Sequence, residues 1–177
     1  LVSAGNAYRI QASYQPSGGQ IEALGGQSSV GLVYPLLATA VADPGGHQVL
    51  SSADGDKWES SALLANKEVD LRDPKLSETP DGRLMMVGGA AVPASRNPLR
   101  DHYSFVCFSK DGKNWTKPER VLGSWQWLWR VTWHDGRAYG ASYKALPGPS
   151  SEWELTLVSS TDGRAFDRVT ALSVPIL

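Results

Sequence analysis

The pattern Ser-x-Asp-Gly-x-x-aromatic occurs three times, as Ser52-Ala53-Asp54-Gly55-Asp56-Lys57-Trp58, Ser109-Lys110-Asp111-Gly112-Lys113-Asn114-Trp115 and Ser160-Thr161-Asp162-Gly163-Arg164-Ala165-Phe166. The aspartates stand 57 residues apart (54 to 111) and then 51 apart (111 to 162). A period near fifty residues is too long for helical pairs or leucine-rich repeats. It suits four short strands and their turns, so the chain predicts an array of small antiparallel sheets, most simply the blades of a β-propeller. Each copy has a local logic: the aspartate offers an acceptor to nearby backbone N–H groups, the glycine is free to take φ > 0, and the aromatic opens the next strand under the turn.

A second repeat interlocks with the first. Asp81-Gly82-Arg83 and Asp135-Gly136-Arg137 also read as hairpin turns, 30 residues before Asp111 (81 to 111) and 27 before Asp162 (135 to 162). Two hairpins per unit give four strands, an all-β fold class, and one partial propeller domain over 1–177 with units of about 1–65, 66–123 and 124–172. In the middle unit strands are expected at 71–79, 83–91, 103–109 and 115–122; in the last, at 128–133, 137–143, 153–159 and 166–172. The first unit is less regular. Its strands are expected at 8–14, 20–24, 48–52 and 58–64, leaving 25–46 as a long insertion and 1–46 a poor match to the repeat. Three units fall short of the four to eight blades of a closed propeller, so the chain is expected to be part of a larger one. An open array leaves an apolar face that self-association would cover.

Composition narrows the partners. A net charge of −1 without basic runs excludes the electrostatic footprint of a nucleic-acid binder. The apolar stretch from Gly31 to Ala42 contains Pro35 and is too short to span a bilayer; its Ala-x-Ala end is internal and lacks a preceding basic run, so it reads as strand or loop. The single cysteine, Cys107, lies in a period-2 strand pattern and reads as a small buried hydrophobe. No internal disulfide is possible, which is compatible with an extracellular or periplasmic protein of a bacterium. His47, His102 and His134 share no metal-ligand spacing, and neither a phosphate loop nor a Ser–His–Asp arrangement is visible, so neither metal nor cofactor is expected.

Propellers bind ligands at the channel end where inner strands begin. Arg9 lies nine residues before Gly18 and Arg72 nine before Asp81, while Arg130 stands five before Asp135. Guanidinium groups converging on one axis call for an anion, a carboxylate above all. For Arg9 a solvated strand end is the alternative. Asp73 follows Arg72 and precedes Pro74, a residue suited to a strand start; the alternative is an Arg–Asp pair bracing a blade junction. Trp125, Trp127, Trp129 and Trp133 fall on one face of a regular strand. Trp133 reads as core, and Trp127 or Trp129 as an apolar platform for a sugar ring. Asp54, Asp111 and Asp162 read as structural.

The Ser-x-Asp-Gly-x-x-Trp pattern resembles the Asp box of the sialidase (bacterial neuraminidase repeat) superfamily, with one residue fewer between Asp and Trp. Tyr8-Arg9-Ile10-Gln11 is similar to that family's Arg-Ile-Pro motif, with Gln11 in place of proline. The resemblance implies a six-bladed glycoside hydrolase removing a terminal, acidic sugar from a glycan. Arg72 and Asp73 would be its catalytic residues here, and Arg130, Arg9, Trp127 and Trp129 would bind the substrate. The family draws its arginines from non-consecutive blades and its nucleophilic tyrosine with a glutamate from the later half, so this segment is expected to be incomplete as a catalyst. Glycoside cleavage commonly needs two carboxylates, and Asp73 has no evident companion. Arg72-Asp73-Pro74 also resembles the invertase-like β-fructofuranosidases, five-bladed propellers whose motif aspartate contacts the sugar at the reacting end. A third reading is a non-catalytic Asp-box propeller that binds a glycan or a protein.

Overall fold

The computed structural model describes residues 13–14, 21–22, 29–33, 36–43, 46–52, 57–92, 101–146 and 153–172. Among these there is no helix, and the strands form three four-stranded antiparallel sheets and one short pair. The first sheet runs β3 (Ser29–Val33), β4 (Leu36–Asp43), β5 (Gly46–Ser52), β6 (Glu59–Leu64). The second runs β7 (Asp70–Glu78), β8 (Leu84–Ala91), β9 (His102–Ser109), β10 (Glu119–Val121). The third runs β11 (Gln126–His134), β12 (Arg137–Ala145), β13 (Trp153–Ser160), β14 (Asp167–Leu172). In each sheet the strands lie side by side in chain order, the meander expected of a propeller blade.

The first unit departs from expectation. The strands near 8–14 and 20–24 do pair, as β1 (Ser13–Tyr14) with β2 (Ile21–Glu22), but in a two-stranded sheet of their own. The span 25–46, expected as an insertion, supplies β3 and β4, the first two strands of the blade. The unbroken apolar run from Gly31 to Ala42 hid two strands because no Asp-Gly turn separates them and no alternation marks either.

Two cores hold the sheets face to face. Val49 and Leu64 of the first sheet pack with Leu71, Leu76, Leu84, Met86, Ala90, Phe105 and Cys107 of the second. Met85, Val87, Val106, Phe108 and Val121 of the second pack with Leu128, Val131, Ala138 and Val158 of the third. All of β8 is buried, and its period-2 alternation sends Leu84 and Met86 into one core and Met85 and Val87 into the other. The opening strands β3, β7 and β11 adjoin one another, with β7 touching both β3 and β11, so they form the inner edge of the array. All of β14, on the opposite edge, is exposed.

Candidate functional site

Two of the three inner strands, β7 and β11, are broken by a bulge. In β7 the register steps from Arg72↔Gly89 to Lys75↔Val87, so Asp73 and Pro74 together oppose Gly88. Asp73 takes φ 50°, a left-handed conformation that aspartate tolerates better than most side chains. Pro74 therefore lies within the strand rather than at its start. A bulge on an edge strand admits a residue without an N–H. Gly88 makes room for the bulge, since a Cβ there would stand 2.9 Å from the Arg72 carbonyl oxygen and 2.8 Å from the Phe105 ring.

In β11 the step runs from Leu128↔Ser142 to Arg130↔Ala141, leaving Trp129 as the extra residue. Gly140 plays the part of Gly88, for its Cβ would meet the Arg130 carbonyl oxygen at 2.7 Å. This bulge overturns the expectation of four tryptophans on one face. Trp125 precedes the strand with φ 64°, and the extra residue inverts the alternation between Trp127 and Trp133. Trp133 packs beside the second core as expected, whereas Trp129 is 45 % exposed and Trp127 lays its indole over Gly89.

A residue that the sequence reading passed over joins the two bulges. Lys75, only 2 % exposed, carries its Nζ 5.1 Å from the centre of the Trp129 ring and 3.4 Å from the Asp73 carbonyl oxygen. Burial lowers the Lys75 pKa, the Asp73 charge opposes that shift, and the neighbouring Arg130 charge adds to it. Tyr143 belongs to the same neighbourhood: burial, then the Asp73 charge, raises its pKa, and its ring meets Trp153 edge-on at 5.5 Å. Asp73, Lys75, Trp129, Arg130 and Tyr143 thus form one cluster, with one carboxylate, two cations and aromatic surface. A carboxylate can stabilise a developing positive charge, cations can hold an anionic or hydroxyl group, and an aromatic face can carry the apolar side of a sugar ring.

Arg72 turns elsewhere. Its guanidinium pairs with Asp70 at 2.6 Å, both side chains about half exposed, rather than with Asp73. Arg9 and Asp54 lie outside the described residues. A cavity of about 200 Å³ opens on the face of the second sheet toward the first, lined by Leu71, Ala90, Tyr103, Phe105 and Arg120 among others, and no member of the cluster lines it. Among the described residues no group of three His, Cys, Asp or Glu could hold a metal ion, and no helix is long and apolar enough to cross a membrane.

The Asp-Gly turns occupy the other end of the sheets. Since β7 and β9 both run antiparallel to β8, the Asp81 hairpin and the Asp111 turn share the end opposite the start of β7; the third sheet repeats this with Asp135 and Asp162. The two turns are built alike. Asp111 Oδ1 accepts the N–H groups of Lys113 at 2.9 Å and Asn114 at 2.7 Å, and Asp162 Oδ1 those of Arg164 at 2.7 Å and Ala165 at 2.9 Å. Ser109 and Ser160 each accept the following glycine N–H at 2.9 Å, with φ of 72° at Gly112 and 74° at Gly163. These bonds hold both carboxyls below the usual range, Asp111 far below it. Trp115 and Phe166 pack against the first and second cores.

No protein-family model matches the chain, and no curated protein does. Solved structures do. A protein of unknown function from Dyadobacter fermentans superposes with a TM-score of 0.70 at 16% identity, over 84% of this chain and 55% of that one. The GH32 β-fructofuranosidase of Bombyx mori gives 0.62 at 13% identity, over 83% and 35%. The GH93 α-L-arabinofuranosidase of Fusarium graminearum, solved with arabinobiose, gives 0.62 at 16% identity, over 80% and 46%. The likeness is one of fold. It makes the three sheets blades of a propeller-like architecture shared with glycoside hydrolases. The chain spans 55% of the first of these structures and less of the other two.

Proposed function

We propose that the cluster around the two bulges is the sugar-binding end of a glycoside-hydrolase propeller, with Asp73 as the carboxylate that meets the reacting carbon of a terminal sugar. The observation that carries this reading is the left-handed Asp73, held by a bulge on an inner strand beside a buried lysine and an exposed indole. Backbone held in a sparsely populated conformation concentrates at functional sites. Trp129 would supply the platform under the ring, and Arg130 and Trp127 would border the subsite, while Arg72, held by Asp70, would take no direct part.

Of the finer readings, the furanosidase one is favoured over the sialidase one. The motif Arg72-Asp73-Pro74 sits on an inner strand, and the fold neighbours include enzymes named for fructofuranosides and arabinofuranosides. The sialidase reading asks for arginines free to grip a carboxylate, and Arg72 is already engaged by Asp70. It retains one support, the excess of cations over carboxylates around Asp73.

The test is a titration followed by tryptophan fluorescence with sucrose, arabinobiose and N-acetylneuraminic acid, repeated on Asp73→Asn. Binding of sucrose or arabinobiose that Asp73→Asn abolishes supports the furanosidase reading; binding of the acidic sugar alone, lost on Arg130→Glu, supports the sialidase one. A wild-type chain that binds none of the three, or an Asp73→Asn variant that binds as well as wild type, overturns the proposal.

A further inference from the structure

We infer that Lys75 is a positioning residue that ties the bulge of β7 to the bulge of β11, and so sets the Asp73 carboxylate against the Trp129 platform. The inference rests on the reading of this end as the sugar site. β7 and β11 are edge strands of different sheets, so no backbone ladder runs between them; the Trp125 N–H on the His102 carbonyl and the Ser104 hydroxyl on Gln126 and Leu128 tie β11 to β9, and the contact between the two bulges is left to side chains. Lys75 reaches both at once. Its ammonium donates to the carbonyl of Asp73, the residue with the left-handed backbone, and lies over the face of Trp129, the extra residue of the other bulge.

A packing role alone does not explain a lysine here. The neighbouring Pro74 and Leu76 are buried, and an apolar side chain at 75 would fill the same space without desolvating a charge. Burial is the largest influence on this amine and disfavours its charged form, and the like charge of Arg130 acts in the same direction. The ammonium therefore costs folding stability in the free protein, and what it gives in return is geometry: the two elements of the cluster held at a set separation.

Two variants separate positioning from packing. Lys75→Met keeps the length and removes the charge, and Lys75→Arg keeps a cation able to stack on indole. Each is measured for its thermal midpoint, for acrylamide quenching of the Trp129 component of fluorescence obtained by subtracting Trp129→Phe, and for affinity toward sucrose and arabinobiose. Lys75→Met is expected to melt at or above the wild-type midpoint, to show stronger Trp129 quenching, and to bind sugar about fivefold more weakly, while Lys75→Arg keeps both the quenching and the affinity near wild type. Failure of Lys75→Met to fold, a lower midpoint, or unchanged Trp129 quenching each overturns the inference. If wild type binds no sugar, the proposed function falls while the midpoint and quenching comparisons still decide the role of Lys75.

Discussion

The Trp127 indole covers Gly89 so closely that a Cβ on that glycine would stand 2.0 Å from the ring. Gly89 belongs to β8 and Trp127 to β11, so this contact joins the second and third sheets. Gly89→Ala should force the indole off its seat and cost about 1–3 kcal/mol, the usual penalty of overpacking. Urea unfolding measures it, and a loss below a few tenths of a kcal/mol would show that the two sheets move apart freely here.

Substitutions at Asp73 should separate backbone from chemistry. Asp73→Asn keeps a side chain at ease with positive φ and should lower the thermal midpoint only by the support its carboxylate gives the buried Lys75 ammonium, while removing the charge on which sugar binding is proposed to depend. Asp73→Ala should lose binding and about 1 kcal/mol of stability as well. Equal stability of the two variants would mean that the left-handed conformation is not maintained in solution.

At the opposite end, Ser160→Ala should be destabilising without touching sugar affinity. The Ser160 hydroxyl is buried and accepts the N–H of buried Gly163, and a buried donor left unpaired costs about 1–3 kcal/mol. Asp111→Ala and Asp162→Ala should act in the same direction. A folded Ser160→Ala variant with weakened sugar binding would contradict the structural assignment of the turns.

Acid should erode the fold through these turns. Asp81, Asp111 and Asp162 have folded pKa values below the ordinary 3.8, Asp81 first through the Thr79 hydroxyl and the other two first through backbone N–H groups. For a carboxylate with a depressed folded pKa, the stabilisation is complete above the unfolded value and is lost as pH falls through the folded one. The midpoint contributed by these groups should thus be flat from neutrality down to about pH 5 and decline below about pH 4. Asp111→Asn should flatten the acid limb; an unchanged limb in that variant would assign acid sensitivity to other groups.

Local chemistry made much of the fold legible. An Asp-Gly pair, joined by an acceptor serine at 109 and at 160, acts within five residues of chain, so the hairpins at 81–82, 111–114, 135–136 and 162–165 and most strands around them stood where the repeat predicted; the strand expected at 115–122 is only Glu119–Val121, because Trp115 makes an isolated bridge to Ser109 before the chain leaves the sheet. Cys107 is buried, as its strand pattern implied. The turn around Asp54 lies outside the described residues.

What the chain alone could determine, then, was the period, the turns and the alternation, because each depends on residues close in sequence. The tertiary structure decided the rest. The pairing of β3 with β4 has no turn signal to announce it and depends on β5 to complete the sheet. The bulges at Asp73 and Trp129 are differences in residue count between partner strands, which a single strand's pattern does not contain. Arg72 met Asp70 on its own strand, and Lys75, an unremarkable letter after Arg-Asp-Pro, became the link between two sheets only when packing brought Trp129 over its ammonium.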